Sequence, residues 1–500
     1  MTLSRRSFLQ IGGAAAAASA LTVGSTEALH WVPPSIQANP ALVPPNIHLL
    51  NRITWGATPD AIAAIDAVGY EAYLEEQLTP ERIDDGAADS RLRPYTAVLN
   101  LSLPDLYSTA DPEALLVDAL LSAVLLRAVH SRRQLLERVV EFWSDHFNVA
   151  GEDQIFHMGR YYNQAIRDHA LGNFRTLVLE TAKHPAMLIY LDNFVNIAEH
   201  PNENYARELL ELHTLGVNGG YTEDDVVNVA RAFTGWQVNE QIPGGFHFNP
   251  NEHDTDAKRV LGESLPAGRG IEDGLHVIDM AARHPATAQF ISRKLCIHFV
   301  SDTPPQSLVN STAAVFTANN GEIRPVLRHL FNSDEFKASA GQKLRRPLTF
   351  YVAAMRAAGA SFTTPPEAQE HLSRLGQVPY NWLPPNGYPA VAAPWMTTNG
   401  LLARWNVAMR ITEATQSGDF TGMRVHLHEL IGRPVTVGEL VDNVSTQIFG
   451  YQLPAPDLQT FIRYASDDAG AATPVTPALL SRKLGTLFGL MLASPAFQWH

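Results

Sequence analysis

Apolar residues recur three and four positions apart through most of the chain, which is the spacing of an amphipathic α-helix. The longest such stretch, 113–147, predicts either one helix or two helices broken near Ser131. Helix-start signals agree with the pattern, since Thr58-Pro59 joins a cap to a first-turn proline and Thr222 opens a capping-box-like sequence. Helices are predicted over 60–78, 113–147, 153–170, 173–183, 203–215, 222–233, 272–283, 285–300, 307–316, 323–332, 344–358, 368–375, 399–416, 437–448, 455–465 and 477–493.

The helical pattern stops in one internal stretch, 235–262. The alternating Phe246-His247-Phe248 and the turn signal Asn249-Pro250 predict one or two small β-hairpins with a long loop there. Two further stretches without helical spacing, 84–111 and 377–396, are predicted to be loops. We therefore expect an all-α or α-dominated fold: a multi-helix globular bundle with a small β-hairpin insertion near 235–262.

The N-terminus predicts an export signal. Ser4-Arg5-Arg6-Ser7-Phe8-Leu9 is the twin-arginine pattern, and the uncharged run 11–23 is shorter than the roughly 20 apolar residues of a membrane helix. We expect the twin-arginine export machinery to deliver the chain to the periplasm or the medium, with cleavage at Ala28 or, as a second choice, Ala20. The alternatives are a retained membrane anchor and a tail that is not translocated.

This organisation divides the chain into four parts. Residues 1–28 are the predicted signal peptide and 29–45 a Pro-rich leader. Residues 46–398 form a helical main domain that holds the β insertion, and 399–500 form a C-terminal helical part packed on it. No later stretch approaches membrane-spanning length, so we expect no stable membrane anchor after cleavage.

The net charge and the cysteine count exclude or disfavour several kinds of partner and cofactor. The 51 acidic and 37 basic residues give a net charge of −14. This charge disfavours nucleic acid and anionic lipid as partners, because both require cationic patches. The single cysteine, Cys296, excludes an internal disulfide and a Cys-x-x-Cys-His haem attachment, and its apolar helical surroundings predict a buried thiol. The sequence also lacks the serine-elbow, phosphate-loop, Rossmann and His-Glu-x-x-His motifs.

The helix predicted over 203–215 carries a row of polar side chains suited to catalysis or metal binding. At 100° per residue, Asn204, Glu208 and Glu211 fall on one stripe, with Arg207 beside them. Paired carboxylates with an amide and a guanidinium suit acid–base catalysis or metal binding. The alternatives are a solvated face with an Arg207–Glu211 pair, and a buried network with Arg231 as counterion.

Two histidines are further candidates. His146 ends a long apolar helix, where it either caps the helix or, if it faces Glu208, serves as a ligand or base. His253 lies with Asp254 and Asp256 in an oxygen-rich loop that is either a functional loop or a solvated turn. No metal or cofactor is identified, and the candidate metal ligands are His146, Glu208, Glu211 and His253.

Several blocks, taken in order, resemble a bacterial family known only as the domain of unknown function numbered 1800. The resemblance extends over about 46–498 and carries no established catalytic residues. It implies that the chain is exported. It also implies that its gene often lies beside a gene for a second exported family, numbered 1501, that resembles alkaline phosphatases and sulfatases. One departure is Cys296, which follows Leu295 where the family pattern has tryptophan. The blocks include His48-Leu49-Leu50-Asn51-Arg52, Glu141-Phe142-Trp143-Ser144-Asp145-His146-Phe147, Asn202-Glu203-Asn204-Tyr205-Ala206-Arg207-Glu208, Arg293-Lys294-Leu295 and Pro385-Asn386-Gly387.

These features predict an exported extracytoplasmic protein and leave three classes of function open. The first is an enzyme, such as a hydrolase, that acts on an envelope or extracellular polymer through Glu208, Glu211 and His253 with their neighbours. The second is a non-catalytic partner or chaperone of a co-encoded exported phosphatase/sulfatase-like protein. The third is a cofactor-dependent redox protein, which export of a folded chain allows. Aromatic residues near these elements either stack on sugars or pack in the core.

Overall fold

The computed structural model describes residues 43–239, 241, 245–362, 367–413 and 423–500, apart from the side chains of Glu152 and Asp153. The predicted signal peptide and nearly all of the predicted leader lie outside these residues. Within the described part, no helix combines the length and the apolar character needed to cross a membrane.

Short helices joined by tight turns make up the N-terminal half. Thr58 caps the second helix by accepting a hydrogen bond from the Ala61 amide at 3.3 Å. Gly69, with a φ of 86°, ends that helix and begins the next, so the single helix predicted over 60–78 is two. Helices α1 to α12 are Pro45–Ile53, Pro59–Val68, Tyr70–Leu78, Gly86–Leu99, Leu103–Tyr107, Pro112–His130, Gln134–His146, Gly151–Arg160, Phe174–Lys183, Pro185–Tyr190, Asn204–Glu208 and Glu223–Ala232.

The prediction of a loop over 84–111 is wrong, because α4 and α5 occupy most of this stretch. Pro94 lies inside α4. Ala88, Leu92 and Leu99 nevertheless recur at helical spacing and are buried. Packing of α4 against α6 therefore outweighs the cost of the proline and the polar residues that obscured the pattern.

Two helices continue into π-helical segments, Tyr161–Ile166 after α8 and Leu209–His213 after α11. A π-turn hydrogen-bonds one residue further along the chain than an α-turn, so it changes the direction in which later side chains point. The helix predicted over 203–215 is thus part α and part π. Short 3-10 turns are Pro80–Arg82, Arg167–His169, Asn193–Val195, Pro250–Glu252 and Ala393–Trp395.

Two antiparallel hairpins occupy the predicted β insertion, which confirms that prediction. Trp236 is paired with Phe248 in the first hairpin, and Lys258 with Leu265 in the second. A third, unpredicted pair joins two-residue strands from distant parts of the chain. Strands β1 to β6 are Trp236–Val238, Phe246–Phe248, Lys258–Val260, Glu263–Leu265, Ser361–Phe362 and Met423–Arg424.

Helices return after the insertion and continue to the end, as the α-dominated prediction requires. Among them α20 packs along α24 and also contacts α18 and α19. Most buried apolar side chains share one core, and Cys296 is buried in it as predicted. Helices α13 to α25 are Glu272–Arg283, Pro285–Phe299, Gln306–Ala318, Ile323–Asn332, Asp334–Lys337, Pro347–Ala357, Ala368–Leu375, Thr398–Glu413, Leu427–Leu430, Val437–Phe449, Ala455–Ala465, Pro477–Ala493 and Pro495–Gln498.

Candidate functional site

Polar side chains near the C-terminal end of α7 form one wall of an internal cavity. The cavity measures about 40 Å³. Since one water needs roughly 15 Å³ on this measure, the space suits about two water molecules. Carboxylates and phenols dominate its polar lining, which includes Glu141, Ser144, Asp145, Tyr162, Tyr380 and Tyr388. We call it the Asp145 cavity.

Two carboxylates of this wall lie one helical turn apart on α7 and share one arginine. The Arg346 Nη1 donates to Asp145 Oδ2 at 2.6 Å, and its Nη2 donates to Glu141 Oε1. The second Glu141 oxygen accepts a hydrogen bond of 2.6 Å from Arg138. Both arginines are buried. Glu141 is therefore held between two guanidinium groups, whereas among the described residues Asp145 has an ion pair with Arg346 alone.

Lys294 of α14 contacts the same end of α7 through His146 and does not itself line the cavity. Its Nζ lies 2.7 Å from Nδ1 of His146, and Nε2 of His146 lies 3.0 Å from the His213 carbonyl oxygen. A carbonyl only accepts, so Nε2 carries the imidazole proton and Nδ1 accepts from the lysine. Burial holds the pKa of His146 well below its ordinary value, which agrees with a neutral ring. Both ring nitrogens of His146 are thus used inside the protein.

Burial moves the pKa values of Asp145 and Lys294 towards each other. It raises the pKa of Asp145 to about 6, an effect that Glu141 strengthens and Arg346 opposes. It lowers the pKa of Lys294 to about 8, which the negative charge of Asp145 opposes. An acid and an amine that ordinarily titrate near 4 and 10 therefore titrate on either side of neutral pH. Groups placed in this way can exchange protons with a substrate at physiological pH.

The loop 377–396, which we call the cover segment, supplies part of the cavity's lining. Asn148, just after α7, donates through its side-chain amide to the carbonyls of Trp382 and Pro384, both at 2.8 Å. Aromatic rings of the segment pack on one another, with 4.9 Å between the ring centres of Trp382 and Tyr388. The segment is therefore tied to the helix end that carries the carboxylates.

A glycine allows the cover segment to lie this close. Gly387 has a φ of 71°, and a Cβ there would lie 1.9 Å from the carbonyl oxygen of Asp145. Only glycine fits such an approach without displacement. Tyr380, whose ring lines the cavity, also has a positive φ, 61°. Backbone held in a sparsely populated region often accompanies a functional site.

The predicted carboxylate stripe of α11 lies nearer the surface. Arg207 binds Glu203 at 3.1 Å and Glu223 at 2.7 Å, so the predicted Arg207–Glu211 pair is not formed. Glu211 instead accepts a hydrogen bond of 3.4 Å from the Tyr221 hydroxyl. The arginine therefore joins α11 to α12 and leaves Glu211 without a guanidinium partner.

Glu208 and Glu211 do lie close together, as the stripe predicted. Burial raises the pKa of Glu208, the charge of Glu211 raises it further, and Arg207 opposes both effects. Asn204 is exposed and donates to Asp192 at 3.4 Å. This group is a pair of interacting carboxylates at the surface, and its chemical role stays a prediction.

His253 and Asp254 belong to a separate network. Asp254 accepts two hydrogen bonds from Arg231, at 2.7 and 3.1 Å, so this arginine is not the counterion of α11. The His253 Nε2 faces Asp273 at 3.5 Å, and the buried Lys258 ammonium binds the same carboxylate at 2.9 Å. The ion pairs Arg231–Asp254 and Lys258–Asp273 therefore hold this loop against α12 and α13.

The predicted candidates therefore do not meet in one site. No hydrogen bond or ion pair within the described ranges joins Glu208 or Glu211 to His146 or His253. Nor does that part of the chain contain a group of three or more His, Cys, Asp or Glu side chains placed to hold a metal ion. Of the candidates, only His146 contacts the Asp145 cavity network, through Lys294.

Sequence reasoning missed Asp145, Lys294 and Arg346 as functional residues. Two signals pointed towards them. Glu141 and Asp145 are carboxylates one turn apart in an apolar helix, and the blocks that resemble the family include both Asp145 and Lys294. Arg346 gave no signal, because its role depends on contacts with residues some 200 positions away.

A family model described as "Protein of unknown function (DUF1800)" matches residues 48–499. The chain therefore belongs to this family, and the resemblance of the sequence blocks is confirmed over nearly the whole chain. Neither the curated proteins nor the solved structures include a match to it.

Proposed function

We propose that the protein is an exported enzyme that performs acid–base chemistry at the Asp145 cavity, with hydrolysis of an envelope or extracellular polymer as its reaction. The observation that carries the proposal is the electrostatic coupling of Asp145 and Lys294, whose pKa values, about 6 and about 8, lie on either side of neutral pH. Asp145 lines a cavity that suits water, whereas Lys294 stands outside that lining and contacts His146 of the same helix end. Perturbed acid–base pairs in cavities mark catalytic sites more often than structural ones.

Hydrolysis requires one group that takes a proton from water and another that gives a proton to the leaving group. Between pH 6 and pH 8 Asp145 is mostly ionised and Lys294 mostly protonated, so both are in the required form. Arg346 holds one Asp145 oxygen at 2.6 Å and thereby orients the other. The neutral His146 orients the ammonium group by accepting from it.

Export and the polymer substrate are supported by other features. The Arg5-Arg6 signal and the lack of a second cysteine suit a chain that folds before it crosses the membrane. The cavity is too small for a sugar ring, so a polymer would present one bond at its mouth.

The test is complementation of a strain that lacks the gene, at equal protein level. Asp145→Asn keeps the shape and removes the proton acceptor, so it should lose the function of the wild type. Asp89→Asn, at an exposed position of α4 that does not line the cavity, is the matched control and should complement fully. Full complementation by Asp145→Asn would reject the cavity as the reaction centre.

Glu208→Gln belongs in the same experiment, because it tests the surface carboxylates of α11 separately. If Glu208→Gln lost function while Asp145→Asn stayed active, the reaction centre would lie at α11 instead of the cavity. Where a substrate is found, the rate should rise near pH 6 and fall near pH 8, following the two groups.

A further inference from the structure

Helix α20 presents an apolar patch to solvent. Leu401, Leu402 and Trp405 are 41%, 56% and 58% exposed and lie within one turn of the helix. Trp405 is the only tryptophan classed as exposed in the described ranges. Large apolar side chains gathered on one face mark interaction surfaces, whereas single exposed ones need no explanation.

A groove lies beside this patch, between α19 and α20. It measures about 500 Å³. Leu402, Ala403 and Val407 form its apolar wall on α20, while Trp405 stands outside it. The face therefore combines a projecting aromatic side chain with a neighbouring groove that has one apolar wall and is otherwise lined by polar or charged residues, among them Glu370 and Arg374.

We propose that this face binds a second copy of the same chain across a two-fold axis, with Trp405 of each copy seated in the groove of the other. A two-fold interface pairs a surface patch with itself, so the patch must carry both the projecting group and the recess that receives it. This patch carries both. An aromatic residue buried in a pocket at the centre of an interface is also the usual energetic anchor.

The charges at the groove suit a second copy of the chain and disfavour nucleic acid or an anionic membrane. Acidic and basic groups alternate there: Glu370 pairs with Arg374, and Glu367 lies 3.7 Å from Arg410. Across a two-fold axis, the acidic side chains of one copy can pair with the basic side chains of the other. Each chain has a net charge of −14, but these four side chains together add none to the interface. Nucleic acid or an anionic membrane would instead require cations that are not neutralised by neighbours.

Sedimentation velocity of the purified protein, from 1 to 50 µM, tests the proposal. The wild type should sediment as a dimer over the upper part of this range. Trp405→Ala should weaken the dimer by roughly a thousandfold, because the two-fold interface loses an anchor from each copy and each anchor accounts for roughly thirtyfold. Leu402→Asp, which places a charge in the wall of the groove, should give a monomer.

Val435→Ala is the matched control, because Val435 is 70% exposed and does not line the groove. It should leave the dimer unchanged. A wild type that is monomeric at 50 µM would overturn the proposal. So would a dimer that both Trp405→Ala and Leu402→Asp leave intact, since its interface would then lie elsewhere.

Discussion

Replacing Gly387 with alanine tests whether the cover segment is fixed by its approach to Asp145. The new Cβ would lie 1.9 Å from the Asp145 carbonyl oxygen and 2.7 Å from its carbon. Real Cβ atoms stay beyond 3.0 Å from such atoms, so the segment would have to retreat by about 1 Å. The obstacle is backbone within a helix, which cannot rotate away as a side chain can.

Two costs contribute to the expected loss of stability. Alanine at a φ of 71° costs about 1 kcal/mol by itself. Retreat of the segment also disrupts the two hydrogen bonds that Asn148 donates to Trp382 and Pro384, each of which contributes about 1 kcal/mol. We expect the free energy of unfolding to fall by about 3 kcal/mol in Gly387→Ala, measured by urea denaturation with a fluorescence signal.

Gly262→Ala is the matched control. Gly262 also has a positive φ, 86°, but no atom lies within 4 Å of a Cβ built there. Only the backbone cost applies, so this variant should lose about 1 kcal/mol. Equal losses in the two variants would refute the reasoning, because the approach to Asp145 would then contribute nothing.

Three further predictions concern the same site and the export signal. Arg346→Met removes the arginine that binds Asp145, and urea denaturation should show a loss of about 3–5 kcal/mol. The pKa of Asp145, about 6 when folded, exceeds the unfolded value near 4, so the folded protein binds the extra proton. The contribution of Asp145 to stability should therefore fall by up to about 3 kcal/mol as the pH rises from 4 to 6, measured as the difference in the free energy of unfolding between the wild type and Asp145→Asn across this range. Replacing both arginines of Arg5-Arg6 with lysine should leave the precursor in the cytoplasm on cell fractionation; export of that variant would contradict the twin-arginine route.

The fold was predictable where local signals and burial agree. The capping box at Thr222 is formed, with Asp225 as its second member, and the long apolar stretch does break near Ser131. Prediction failed where tertiary packing outweighs local preference. Pro94 and the polar residues around it predict a loop, yet burial of Leu92 against the helix core makes this stretch a helix. A single sequence cannot show that compensation.

The candidate site was harder to predict because its chemistry depends on distant segments. Spacing along one helix identified Glu208 and Glu211, which do interact at the surface. Asp145 is just as visible on α7, but its pKa depends on burial and on Arg346 and Lys294, which lie 201 and roughly 150 positions further along the chain. A helical stripe shows which groups share a face, whereas the segments that pack on that face decide how those groups ionise. The sequence of α7 therefore shows its carboxylates but not the distant segments that set their ionisation.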